Sequence, residues 1–166
     1  MKLDFLLAGA HVKRYHTVDT ITTDTVGRHS HGVAMMVYRL MEGEPSVGLL
    51  MAALVHDLGE QAIGDIPSPT KRALGAAMSA IDAMEDEALR EQSLDFLLSD
   101  QERAVLKVAD CADGMLFCIR ERRLGNKNVC VVFDRFKSYI LKLGCVNTEA
   151  WFLVQELTNL WEEANA

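Results

Sequence analysis

The chain has 166 residues, of which 49% are hydrophobic and 25% charged, with only 3 Pro and 11 Gly. This composition excludes a disordered or fibrous chain and fits one domain spanning residues 1–166. A formal net charge of −7 argues against the broad basic face on which binding of a nucleic-acid polymer rests. The cysteines at 111, 118, 130 and 145 form no CxxC pair, so they read as reduced, buried thiols of a cytoplasmic protein. No signal peptide is read at the N-terminus, and the longest apolar block, Val47 to Val55, is too short to span a bilayer.

In chain order, Leu3, Phe5, Leu6 and Leu7 predict a short first helix. The Thr- and Val-rich run from His11 to Arg28 lacks helical periodicity and is expected to be an extended functional loop. Val33, Met36, Val37 and Leu40 then form one helical stripe. Pro45 suits the first turn of a third helix that runs through Val47, Leu50, Met51, Leu54 and Val55 and ends near Leu58-Gly59. After the turn "GDIPSP", Pro69 is placed to open a long helix through Lys71, Leu74, Met78, Ile81 and Met84, with a break near Gln92-Ser93. Ser99 and Glu102 have the spacing of a capping box for a helix through Val105, Val108, Ala109, Ala112 and Leu116 towards Arg123, stopped by Gly125 and Asn126. Two more helices, 129–143 and 148–162, carry Phe133, Phe136, Ile140, Trp151, Val154, Leu157 and Trp161, whose spacing assigns them to the core. The fold class is all-α, a helical bundle.

The polar end of the third helix is where chemistry concentrates. His56 and Asp57 are adjacent, so on a helix they diverge by about 100° and cannot clamp an ion as an i,i+4 pair does. They can still share one ion at a helix end if other helices contribute, and the sequence offers His29 and either Asp110 or Asp113. Two imidazoles and two carboxylates suit a borderline divalent cation such as Zn, Mn or Co. Glu60, one turn beyond His56, could position or deprotonate a water, or be a solvated helix-end charge. Asp65 precedes Ile-Pro and equally suits a turn.

His29, His56-Asp57 and Asp110 resemble the H…HD…D signature of HD-domain metal-dependent phosphohydrolases. Three ordered segments extend the likeness to bacterial 5'-deoxynucleotidases and phage deoxynucleoside triphosphate triphosphohydrolases. These are "RYHTV…TVGRHSHGVAM", "HDLGEQAIGDIPSPTK" and "LKVAD". The resemblance implies an HD-domain helical bundle in which His29, His56, Asp57 and Asp110 hold a divalent metal ion (Zn, Co or Mn, with Mg also admissible). It implies catalytic roles for Glu60 and Asp65, with Glu60 acting on the attacking water. Arg14, Lys71 and Lys107 would meet phosphate, and Tyr15 would lie against a 2'-deoxyribose.

The chain departs from these relatives at Tyr15, which replaces Trp, at Arg28, which stands where Glu is usual, and at His31, which stands where an apolar residue is usual. Arg28 suggests a contact to extra phosphates, or else a solvent-facing first-turn charge; His31, two residues from His29, points elsewhere on a helix. The expected function is hydrolysis of a 2'-deoxynucleoside 5'-phosphate, foremost as a phage-type dNTP (dATP) triphosphohydrolase. The alternatives are a 5'-deoxynucleotidase acting on dNMPs and, from another class, a non-catalytic nucleotide-sensing HD module. The expected partner is a small-molecule deoxynucleotide, with no nucleic-acid polymer and no membrane. The chain is expected to act as a homo-oligomer, dimer or hexamer, in the cytoplasm (the host's, if phage-encoded). Base recognition is assigned to the loop 16–26.

Overall fold

Ser99 and Glu102 exchange side-chain and backbone hydrogen bonds as a full capping box, and the helix they start runs through the middle of the molecule. The computed structural model describes residues 1–144 and 146–165. Its helices are α1 (Leu3–Ala10), α2 (Val26–Leu40), α3 (Val47–Val55), α4 (Ser68–Leu74), α5 (Met78–Arg90), α6 (Asp100–Arg123), α7 (Cys130–Leu143) and α8 (Thr148–Glu163). Short 3-10 turns lie at Leu58–Ala62 and Gly75–Ala77. Among the described residues the extended pairing is a single antiparallel bridge between Lys13 and Thr25. No helix among them is long and apolar enough to cross a membrane.

Helix α6 buries Val105, Val108, Ala109, Cys111, Ala112, Met115, Phe117, Cys118 and Ile119, which lie around most of its circumference. A helix apolar on every side belongs in the centre of a bundle, and α2, α3, α7 and α8 pack around this one. A second, smaller cluster of Phe5, Val26, Val55, Leu58 and Leu94 lies under α1 and the first 3-10 turn. Cys111 and Cys118 are buried free thiols, as expected; Cys130 is half-buried, and Cys145 lies outside the described residues.

Several elements differ from expectation for local reasons. Helix α2 starts at Val26 because the Thr25 hydroxyl accepts a hydrogen bond from the Arg28 N–H, so the extended loop is shorter than the Thr-rich composition suggests. Helix α3 is capped by Ser46 rather than opened by Pro45, and it stops at Val55, with the chain passing into a 3-10 turn. That helix is apolar all round, so periodicity could not choose its inner face: Leu49, Ala52, Ala53 and Val55 are buried, while Val47 and Leu54 are exposed. The long helix expected after Pro69 is broken at Gly75, where φ is +53°. Its stripe of Leu74, Met78, Ile81 and Met84 is not core, since α4 and α5 bury no residue fully. Phe133, Ile140, Val154 and Leu157 are core as expected; Trp151 is 55% exposed, and Trp161 stacks on Phe133 at 4.0 Å.

The loop from His11 to Thr25 is held by α6. The fully buried Glu121 accepts hydrogen bonds from the Ile21 N–H (2.7 Å), the Thr22 N–H (2.8 Å) and hydroxyl, and the Asn126 amide (2.8 Å). Asn126 also donates to the Asp19 carbonyl at 2.9 Å. Gly125 alone takes the left-handed C-cap expected of the pair, φ +95°, which leaves Asn126 free for this second job. Glu121→Ala strands the buried Asn126 amide and the part-buried Ile21 and Thr22 donors, each costing about 1–3 kcal/mol if water cannot reach it. The expected result is a urea midpoint lowered by the equivalent of about 3 kcal/mol, together with faster proteolysis in the loop; an unchanged midpoint would show that the loop is not anchored there.

Candidate metal centre and its cleft

Two histidines on different helices face one point because a back-hydrogen-bond orients each ring. His29, in the first turn of α2 and fully buried, donates from Nδ1 to Asp113 Oδ2 at 2.8 Å. His56, at the end of α3, donates from Nδ1 to the Ala53 carbonyl at 2.9 Å. Each bond fixes the tautomer and leaves Nε2 as the available lone pair. The ring centroids are 5.3 Å apart, and both Nε2 atoms are buried without a hydrogen-bond partner. Gly32 makes the first bond possible, since a Cβ there would lie 1.9 Å from Asp113 Oδ1.

The carboxylates close around these nitrogens. Asp57 places Oδ2 3.5 Å from His29 Nε2 and Oδ1 3.4 Å from His56 Nε2. Ligand atoms of His29, His56 and Asp57 lie within 4.8 Å of one another, a spacing that suits a shared metal ion. Asp110 adds Oδ1 at 3.3 Å from His29 Nε2, with Oδ2 bound to Lys107 Nζ at 2.7 Å. The two aspartates on α6 thus differ in place: Asp110 lies on the Nε2 side of His29, and Asp113 supports its Nδ1 from behind.

This much charge in a buried site shifts protonation strongly. Burial and the Arg14 charge push His29 down, but Asp110, Asp113 and Asp57 outweigh them and hold it up at about 9. Burial would raise Asp57, yet His56, Arg14 and His29 keep it at about 2. Asp110, against the same burial, is held well below the ordinary carboxylate range by His29 and Lys107. Glu60, buried in the 3-10 turn with Oε2 unpartnered, is pushed up to about 8 by burial and by Asp57 and Asp65.

The centre forms the floor of a cleft of about 510 Å³. Arg14, Tyr15, Asp57, Glu60, Asp65, Lys71, Lys107 and Asp110 all line it, so the structure brings these expected site residues together, with His29 and His56 behind them. Arg14 forms a close ion pair with Asp57 and a second with Asp24 at 3.7 Å. Tyr15 has φ +58° and stacks on Phe117, centroids 4.3 Å apart and planes 5° apart. Asp65 lies 3.7 Å from His16.

Arg28 and His31 do not line the cleft. Arg28 pairs with Asp24 at 3.0 Å, one turn away, and His31 is exposed. Sequence reasoning missed Asp24, the buried partner of Arg14 and Arg28, and, in the cleft, Arg72 and the α7 wall of Val132, Arg135, Phe136 and Tyr139. Phe136, read as core, is a wall residue that packs over Gly114. The available signal was a second stripe on α7 at i, i+3, i+4 and i+7 from Val132, about a quarter turn from the core stripe of Phe133 and Ile140.

A helical bundle with a His, His-Asp and Asp constellation on the floor of a cation-lined cleft has the features of an HD-domain phosphohydrolase. The family model described as 5'-deoxynucleotidase YfbR-like matches residues 5–158, and the chain belongs to that family. A dATP triphosphohydrolase of Salmonella phage PMBT28 is 27% identical over 95% of this chain and 84% of its own length. A 5'-deoxynucleotidase of Pectobacterium atrosepticum is 25% identical over 69% of each. Among solved structures, the HD phosphohydrolase of cyanophage S-2L bound to dA and one catalytic Zn2+ ion superposes with a TM-score of 0.70 at 19% identity, covering 98% of both chains. A conserved hypothetical protein from Pyrococcus furiosus gives 0.74 at 22% identity, over 95% of this chain and 99% of its own.

The shifts set a pH signature for the chelator-treated protein. Asp57 and Asp110, depressed in the folded state, stabilise it above their ordinary value of 3.8, and this is lost as pH falls. His29, raised from 6.5 to about 9, stabilises the fold below 6.5, and its contribution fades as pH rises through 9. Glu60, raised from 4.5 to about 8, favours the neutral acid in the fold, so it too costs stability as pH rises across that window. Thermal melts in EDTA should peak at roughly pH 4–6 and fall by pH 9, and a divalent cation should remove most of the alkaline loss. A midpoint that rises from pH 6.5 to 9 without metal would contradict this charge balance.

Proposed function

We propose that residues 1–166 form one domain that hydrolyses 2'-deoxynucleoside 5'-phosphates with a divalent cation, foremost dNTPs and dATP among them, releasing the deoxynucleoside. The observation that carries this reading is the pair of buried Nε2 atoms without a hydrogen-bond partner beside Asp57, a residue that itself lines a cleft with phosphate-compatible cations. Buried polar atoms without partners are rare and mark a site completed by something else. His29, His56, Asp57 and Asp110 fit a cation as two neutral imidazole and two carboxylate donors, a set suited to Zn, Co or Mn. When bound, the cation polarises a phosphoryl oxygen and lowers the pKa of a coordinated water.

The chain's own residues supply the rest. Glu60 Oε2 takes a proton from the attacking water, whose oxygen bonds to the α-phosphorus as the bond to the 5'-oxygen breaks, and Glu60 then gives that proton to the departing 5'-oxygen. Burial, with Asp57 and Asp65 beside it, raises Glu60 and keeps its carboxylate basic enough for this. Arg14 and Lys107, held by Asp57 and Asp110, and Lys71 on the facing wall neutralise charge on the phosphoryl oxygens. Tyr15, braced on Phe117, supports the reading of a wall against the deoxyribose.

The family description favours a second reading, a 5'-deoxynucleotidase acting on monophosphates at the same α-phosphorus. A nucleotide-sensing module without turnover is disfavoured by the free, basic Glu60 oxygen beside the centre. The proposal includes cytoplasmic action and homo-oligomeric assembly, which light scattering on the purified chain would test.

Incubating the protein with Mn2+, Co2+ or Zn2+ and a panel of dNMPs, dNDPs and dNTPs should yield deoxynucleoside. Tripolyphosphate as co-product marks the first reading, and phosphate from dNMPs alone marks the second. Glu60→Gln should lower kcat about 10²–10⁴-fold; absence of turnover on the whole panel would sink the enzyme reading. Gly32→Ala should displace Asp113 from His29 and weaken metal affinity about 10–100-fold in a chelator-dye competition, with the helical circular dichroism retained. Unchanged affinity would show that Asp113 does not tune the centre.

A further inference from the structure

We propose that Arg72 and Arg135, on different walls of the cleft, form a subsite for the distal phosphates of a deoxynucleoside polyphosphate. The inference rests on the hydrolase reading above and decides between its two variants. Five cations line the cleft: Arg14, Lys71, Arg72, Lys107 and Arg135. Arg14 and Lys107 are committed to Asp57 and Asp110 on the floor, where the α-phosphate would meet the metal centre. Lys71 acts on Glu60, whose carboxyl its charge lowers. Arg72 and Arg135 have no ion-pair partner among the described residues.

Arg72 and Arg135 add two guanidinium groups without an ion pair to a cleft whose floor carboxylates already face Arg14 and Lys107, in a chain of net charge −7. A monophosphate is met by the floor alone, whereas each further phosphate adds anionic oxygens that the floor cations do not reach in excess. Guanidinium is the side chain best suited to that task, since its planar fork binds phosphate oxygens bidentately and stays charged at any working pH. Arg28, the residue that the sequence offered for extra phosphates, is paired with Asp24 and lies off the cleft.

Both arginines are exposed, and the elements that carry them to the cleft are positioned by the fold. Arg135 belongs to the α7 face of Val132, Phe136 and Tyr139, and the neighbouring face is locked into the core by Phe133 and Ile140. Phe136 over Gly114 fixes the rotation of that face, because a Cβ at 114 would lie 2.5 Å from its ring. Arg72 follows the Pro67-Ser68-Pro69 turn, which also lines the cleft, and Pro69 sits in the first turn of α4. Polyphosphate would therefore run from the floor outwards between α4 and α7.

The test is the ratio of kcat/KM for dATP to that for dAMP, measured on the full Mn2+-loaded chain for the wild type, Arg72→Ala, Arg135→Ala, Arg135→Lys and the double alanine variant. Each alanine substitution should lower the ratio about tenfold and the double about a hundredfold, with Arg135→Lys intermediate. Calorimetric binding of inorganic tripolyphosphate to the metal-loaded protein should weaken in parallel, while binding of inorganic phosphate should not. A ratio that stays constant because both substrates decline together would overturn the subsite in favour of a general field effect. A wild type that turns over dAMP while neither hydrolysing dATP nor binding tripolyphosphate would overturn it too, leaving the hydrolase reading intact. If no nucleotide is hydrolysed, that reading fails, and the tripolyphosphate titration still decides the subsite: equal affinity in wild type and double variant overturns it.

Discussion

The structure depends on two hydrogen bonds that face away from the site. Nδ1 of His29 is tied to Asp113, and Nδ1 of His56 to the Ala53 carbonyl. Together they turn both Nε2 lone pairs towards the same buried point, where Asp57 and Asp110 supply negative charge. Desolvated imidazoles without partners are costly in a finished core, so helices α2, α3 and α6 bear a local cost that a cation offsets. The central position of α6 follows from the same need: it carries Asp110 to the front of His29 and Asp113 to its back, one turn apart.

The walls are organised by the same helix. Its Glu121 holds the loop that carries Tyr15, Thr17 and Val18 into the cleft, and its Phe117 is the platform on which Tyr15 lies. Helix α7 packs on α6 with one face and offers the other to the cleft. The His-Asp centre, the Tyr15 wall and the α7 wall thus share one support, the arrangement expected where reacting groups must be held within a fraction of an ångström. The Thr-rich loop, read from sequence as extended and functional, is fastened at its far end to Glu121 and Asn126.

The helical class, the capping box at Ser99 and the boundaries of α7 and α8 were legible because local chemistry decides them: a reciprocal cap, a Gly with positive φ, and clear amphipathic spacing. The inner face of α3 was not, because a helix apolar all round carries no direction. Nor was the break at Gly75, since an isolated Gly in a helical pattern is compatible with continuation. At the site, His56-Asp57 stood out as polar residues ending an apolar helix, and the convergence of His29 with Asp110 was carried by resemblance rather than by spacing. Arg135 was hidden because an exposed Arg on an amphipathic helix looks the same whether it faces bulk water or a cleft. Arg28 misled for the converse reason: only the fold reveals that Asp24 neutralises it.

The most direct measurement of the central claim is X-ray absorption at the metal edge of the full chain loaded with Zn2+. The geometry predicts one ion per chain, with imidazole scattering from two histidines and first-shell N/O distances of about 2.0–2.1 Å, and the imidazole signal halved in both His29→Ala and His56→Ala. A first shell of oxygen alone, or one unaltered by either substitution, would contradict the claim that these two rings are oriented to hold a metal ion.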